Sequence, residues 1–123
     1  MIEDQKNWRL LRDLKKGKFC FLIGVDNWSI ELQKSEFDSL YFLLLRINEQ
    51  LLCIKSELMD EESISIELEQ LPWYIELERK KNEWSLRFVF DSQDQTRSFE
   101  MYWPIPIAQS LFYEIKKMWE SMN

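Results

Sequence analysis

The chain has no histidine among its 123 residues. The commonest general base and the commonest metal-binding side chain are therefore missing. Ser-His-Asp and Cys-His nucleophilic arrangements are excluded in their usual forms. The two cysteines, Cys20 and Cys53, are not arranged as CxxC. Both have apolar flanks, so they read as buried thiols of a reducing compartment rather than as zinc ligands. Glycine occurs only at Gly17 and Gly24, which excludes the phosphate-cradling loops of nucleotide-binding folds. What remains for chemistry is a set of carboxylates, and a set of cations near aromatic rings.

The densest carboxylate group is the run Glu57, Asp60, Glu61 and Glu62. Hard oxygens of this kind suit Mg²⁺ or Ca²⁺, but the run lacks the Asp-x-Asp-x-Asp-Gly spacing of a calcium loop. A solvated helix end or inter-element loop is the favoured reading; the alternative that Asp60, Glu61 or Glu62 accepts from backbone N–H groups and fixes the helix exit is also preferred to a metal site. Glu67 with Glu69, and Glu76 with Glu78, alternate along strand-like segments. An acid-base pair would need one of them to have a raised pKa. A solvated outer sheet face explains the same alternation.

Six Trp, eight Phe and four Tyr form the second set. Single-stranded nucleic acid is held by bases stacked on exposed rings beside cations. Tyr74, Tyr102 and Trp103 are the rings expected at the surface, with Lys80, Lys81, Arg87 and Arg97 nearby in sequence. Against this, Trp73, Trp84, Phe88, Phe90 and Phe99 fall on core-facing parity, and glutamates interleave the strands. The net charge of −6 also disfavours a phosphate backbone.

Period-two alternation predicts strands over 8–13, 19–25 and 28–33, with turns at Lys15–Gly17 and Asp26–Asn27. A helix over 35–58 follows, opened by Ser35 and Asp38 as a capping pair. Its apolar residues Phe37, Leu40, Leu44, Ile47, Leu51, Ile54 and Leu58 step by three and four, a heptad stripe. Strands are predicted over 63–69, 73–78, 84–90 and 97–103. Pro104 and Pro106 end the sheet, and a last helix runs to residue 122. The pattern reads as two related halves, 6–58 and 63–122, each of three or four strands and a helix. The fold class is α+β within a single domain: two antiparallel sheets with two main helices. The heptad stripe of helix 36–58 suits a homodimer seam as well as a core. No run is long and apolar enough for a membrane span, and a cytoplasmic location is expected.

Asn27-Trp28-Ser29-Ile30-Glu31-Leu32, Glu36-Phe37, the Leu43-Leu44 helix and Glu57-Leu58-Met59-Asp60-Glu61-Glu62 resemble a small cyanobacterial and plastid family, domain of unknown function 1818. Trp8-Arg9-Leu10, Trp73-Tyr74-Ile75-Glu76 and Tyr102-Trp103-Pro104 extend the resemblance over most of the chain. It implies a fold similar to the single-stranded-DNA-binding transcriptional regulators, and to the Whirly type, in which two β4-α units lie in one chain. The family brings no assigned activity, and a fold alone does not fix a function.

The function expected is a non-enzymatic binding or regulatory module with a protein partner of unknown identity. The alternative is a single-stranded DNA or RNA binder, and an enzyme of unknown type is a third. No cofactor and no metal is expected.

Overall fold

The computed structural model describes residues 2–5, 7–55 and 63–122. Its elements are β1 (Ile2–Gln5), β2 (Trp8–Arg12), β3 (Phe21–Val25), β4 (Trp28–Leu32), α1 (Lys34–Lys55), β5 (Ile64–Gln70), β6 (Trp73–Lys80), β7 (Glu83–Asp91), β8 (Ser98–Trp103) and α2 (Ile107–Met122). The order is four strands and a helix, twice over. Strands β1 to β4 form one antiparallel sheet in sequence order, and β5 to β8 form the other. The fold is thus α+β, with two antiparallel sheets and two long helices.

β1 has no counterpart in the sequence reading. Three of its four residues are polar, so no alternation announces it, yet it pairs in full register from Ile2 opposite Leu11 to Gln5 opposite Trp8. The predicted strand at 19–25 is shorter in the structure, where β3 begins at Phe21. A 3-10 turn over Leu14–Lys16, closed by Gly17 at φ 86°, brings the chain in beside β2. Asp13 N–H donates to the Cys20 carbonyl across this loop (2.8 Å).

The hairpin turns use residues that tolerate left-handed backbone. Asn7 (φ 77°) and Asp26 (φ 56°) serve the first sheet, and Lys81 (φ 58°) serves the β6–β7 hairpin. The Leu71–Pro72 and Ile105–Pro106 peptide bonds are cis.

Each sheet turns one face inward. Trp8, Leu10, Phe21, Ile23, Val25 and Leu32 are buried from the first sheet. Trp73, Ile75, Leu77, Leu86, Phe88, Phe90 and Trp103 are buried from the second, none above 0 % exposure. Each such side chain is worth about 1.5–3 kcal/mol of apolar burial. Phe21 stacks flat on Phe37 at 4.1 Å, joining β3 to α1.

The heptad stripe is used inside the chain. Phe37, Leu40, Leu44, Ile47 and Leu51 are all buried in this core, and Ile54 packs partly against it. Leu58 lies outside the described residues. A second copy would therefore find this stripe already filled. The helix start also differs from the expected Ser35–Asp38 pair: Glu36 Oε1 accepts from the Gln33 N–H (2.8 Å). This reach back to the backbone is the work of the third residue of a capping box. Asp38 instead pairs with Lys34 (2.9 Å) and accepts from Trp119 Nε1 (3.2 Å).

Gly24 has a packing reason. A Cβ there would lie 2.5 Å from Arg9 Nη2. Arg9 lies across the bare backbone and donates to the carbonyls of Asp26 (3.0 Å) and Trp28 (2.7 Å).

Candidate functional site

The four cations proposed for nucleic acid do not share one groove. Lys80 and Lys81 sit at the β6–β7 hairpin, whereas Arg97 precedes β8 at the opposite end of that ladder, where Asp91 faces Ser98. The eight residue steps along β7 between those ends span on the order of 26 Å. Arg87 lies between them on the outer face. Trp103, expected at the surface, has 0 % exposure. It continues the inward parity of Met101, and Pro104 follows it directly. The acidic run Glu57, Asp60, Glu61 and Glu62 lies outside the described residues.

The uncovered face of the second sheet is acidic. Its register places Glu67, Glu76, Arg87 and Tyr102 in one cross-strand row, and Glu69, Tyr74, Val89 and Glu100 in the next. Glu78 lies beside Ser65 and Ser85 in a third. Arg87 is held by Glu100 (2.6 Å) and approaches Glu76 at 3.8 Å. Glu67 and Glu76 face each other, an arrangement that costs free energy between like charges. The Tyr74 hydroxyl donates to Glu76 Oε2 (3.3 Å). Burial, and then the charges of Glu67 and Glu76, hold its phenol above the ordinary value of 10.0. Tyr102 is 53 % exposed, so of Tyr74, Tyr102 and Trp103 it alone presents an open surface. This face would repel phosphate rather than gather it.

Arg97 is a clamp between the two halves. Its Nη2 pairs with Glu36 of α1, and its Nη1 donates to the Glu31 carbonyl at the end of β4 (3.0 Å). Its guanidinium carbon lies 4.7 Å from the Phe19 ring centre and 5.2 Å from that of Phe90. Beneath it, Trp73 Nε1 donates to the Glu36 carbonyl (3.0 Å). Sequence reading found Arg97 as a cation but not its partner, because Glu36 lies 61 residues away.

A polar cleft of about 260 Å³ opens beside this clamp, between the start of α1 and the loop before β8. Lys18, Ser35, Glu36, Ser39, Ser92 and Asp94 are among its walls. The loop is built on Asp94, which accepts from Ser92 Oγ (2.7 Å), Thr96 Oγ1 (2.7 Å) and the Thr96 N–H (3.2 Å). These bonds, that from Ser92 first, lower its carboxyl to about 2. The cleft thus holds an ion pair and a capped loop, each already satisfied internally. Among the described residues no group of three or more Cys, Asp or Glu could hold a metal ion.

The remaining surface of interest is helical. Phe42 (43 % exposed) and Leu52 (58 %) stand outward on α1, with Leu45 half-buried between them. The steps from 42 to 45, 49 and 52 place all four positions on one stripe. Trp119 of α2 stacks on Tyr41 at 4.4 Å and meets Phe42 edge-on at 5.3 Å. Cys53, read from sequence as buried, is exposed on α1 and lines a shallow groove with Arg46, Glu49, Gln50 and Ile54. Its neighbours Leu51 and Ile54 belong to the buried stripe, whereas Cys53, like Leu52, faces outward.

Comparisons with known proteins bear on this surface only through kinship. A family model described as "Domain of unknown function (DUF1818)" matches residues 3–118. A solved structure of a protein with unknown function from the DUF155 family of Prochlorococcus sp. NATL2A is 31% identical and superposes with a TM-score of 0.88. The match covers 97% of this chain and 98% of that one. No curated protein matches the chain.

Proposed function

The chain belongs to the family described as domain of unknown function DUF1818, and from that premise we propose that it is a non-enzymatic binding module that takes a protein partner on the outward face of α1. The observation that carries this reading is the exposure of Phe42 and Leu52 on one stripe of a helix whose opposite stripe is already filled by the core. Exposed apolar side chains grouped on one face mark interaction surfaces. Trp119, braced by Tyr41, supplies an aromatic anchor of the type that dominates interfaces. The charged faces offer less, since Arg87 and Arg97 are each engaged by carboxylates of the chain. The proposal includes a Whirly-like arrangement of the two β4-α units, supported by the strand order, and a cytoplasmic setting, supported by Cys20 and Cys53 standing as thiols and not as a disulfide. No helix among the described residues is long and apolar enough to cross a membrane.

The test compares wild-type and Phe42→Ser/Leu52→Ser protein as baits in a cyanobacterial lysate, followed by reconstitution with the captured protein. The expected result is a stoichiometric partner whose Kd weakens at least tenfold in the double variant, about 1.4 kcal/mol, with unchanged circular dichroism. Equal affinity for both baits refutes the surface. Titration of a labelled single-stranded oligonucleotide at low salt, where backbone contacts are strongest, should show no micromolar binding; such binding would favour the nucleic-acid reading. Light scattering reports whether the partner is a second copy.

A further inference from the structure

The outward stripe of α1 carries a charge pattern of its own. From Phe42 to Cys53 the charged residues are Arg46 and Glu49 alone, and both are exposed. The stretch is therefore neutral in a chain whose net charge is −6. A strongly acidic or strongly basic partner finds no matching excess of charge there. Two copies of this chain repel each other through their net charge, and a neutral stretch is where they can approach.

The order of the two charges adds a direction. Arg46 and Glu49 stand three residues apart, on one side of the helix. Neither takes part in an ion pair among the described residues. Arg46 Nη1 donates to Gln70 Oε1 (3.0 Å) in an exposed bond, which leaves the rest of the guanidinium fork for another acceptor. If two α1 helices met in parallel about a twofold axis, each of these residues would lie level with its own counterpart. Like charges brought together in this way cost free energy. In the antiparallel arrangement, with the axis at the level between residues 47 and 48, Arg46 of either copy lies level with Glu49 of the other. The same axis sets Leu45 level with Gln50, and Phe42 level with Cys53.

Those levels coincide with a hollow in the helix surface. Arg46, Glu49, Gln50, Cys53 and Ile54 line the shallow groove, whose volume is about 360 Å³. The first four stand at i, i+3, i+4 and i+7, the four-residue hole that receives side chains of a facing helix. Leu45 and Phe42 of an antiparallel copy arrive beside two of its walls. Phe42 is braced for this by Trp119, which meets its ring edge-on at 5.3 Å. A twofold axis makes every such contact twice.

We propose that the partner taken by the outward face of α1 is a second copy of this chain, bound antiparallel about a twofold axis. The proposal rests on the α1 face as the docking surface and identifies its occupant. The steps from Phe42 to Cys53 span ~16 Å. So short a seam falls below the standard interface size, and the dimer is reversible, with a Kd on the order of 100 µM.

The experiment is sedimentation equilibrium of the intact chain from about 10 µM to about 1 mM, in roughly 0.15 M salt so that net repulsion is screened. Wild type is expected to show a monomer–dimer equilibrium, weakened at least tenfold in Phe42→Ser. Arg46→Glu and Glu49→Arg each set like charges level across the antiparallel seam, so each variant alone should be monomeric. Their equimolar mixture sets opposite charges level again and should dimerise at least as tightly as wild type. Because both positions are exposed, circular dichroism should be unchanged. A wild-type chain that stays monomeric throughout overturns the proposal. So does a dimer that survives both single variants, or a mixture that fails to recover what they lose. If wild type is monomeric while a lysate protein is still captured and is lost in Phe42→Ser/Leu52→Ser, the second copy is refuted and the α1 face stands. If nothing is captured either, both fail.

Discussion

Replacing Arg97 by alanine should cost about 3 kcal/mol of stability, and the structure shows where that figure comes from. The side chains of Arg97 and Glu36 are 26% and 9% exposed. Breaking a fully buried pair costs roughly 3–5 kcal/mol. Here the arginine is partly wet and a polar cleft adjoins Glu36, so about half of that, ~2 kcal/mol, is the expected share. The two ring contacts, to Phe19 and Phe90, add about 0.5–1 kcal/mol each, and the bond to the Glu31 carbonyl adds a further fraction. All depend on one side chain, so they do not sum freely. Arg97→Lys keeps the charge but not both Nη contacts, and should lose about half as much. Glu36→Gln keeps an acceptor for the Gln33 N–H and should cost about 1–2 kcal/mol. Urea unfolding followed by tryptophan fluorescence measures all three, with constant m confirming a common unfolded state. The decisive quantity is the coupling between Arg97→Ala and Glu36→Gln, expected at about 1–2 kcal/mol. A coupling under about 0.5 kcal/mol would mean that the two halves are not clamped through this pair.

Two further outcomes are expected. Asp94, at about 2 instead of the ordinary 3.8, contributes loop order that is present above the ordinary value and lost as pH falls through about 2. The Thr96 amide resonance should therefore titrate with a midpoint near 2, and a midpoint in the ordinary carboxylate range would refute the hydrogen-bonding account. Gly24→Ala should displace the Arg9 guanidinium from its two carbonyl acceptors and cost about 1 kcal/mol, after the gain from a stiffer unfolded chain. In an Arg9→Ala background that cost should vanish; if it persists, the glycine is needed for something other than this arginine.

Most of the core was legible from period and parity. Phe19 and the strand ends apart, the inward residues of β2 to β8 alternate as their sequence does, because a strand between a core and solvent must. The heptad run marked the buried stripe of α1, though spacing alone does not say whether a stripe meets its own sheets or another chain. β1 was invisible because Glu3, Asp4 and Gln5 carry no apolar period; backbone pairing alone places it. Trp103 and Arg79 show parity outranking residue type. Each sits where its strand's alternation points, inward, although one stands next to the sheet-ending prolines and the other carries a charge. The partners of Arg97 could not be read from a single sequence, since its contacts to Glu31 and Glu36 exist only once both halves are assembled. The cations drew attention as a surface set, whereas two of the four are engaged by carboxylates.

Each sheet joins only strands that follow one another along the chain. Every ladder is therefore a hairpin, closing a short loop with little entropy to overcome. The contacts of Arg97, at separations of 61 and 66 residues, belong to a later stage of assembly. In kinetic terms the folding nucleus can form within either meander while the clamp is still open, which gives Arg97 a low φ-value. Its removal should then leave the folding limb of the chevron nearly unchanged and steepen the loss of native molecules through faster unfolding. A feature that contributes little to how quickly the chain finds its shape would thus set how long it keeps it.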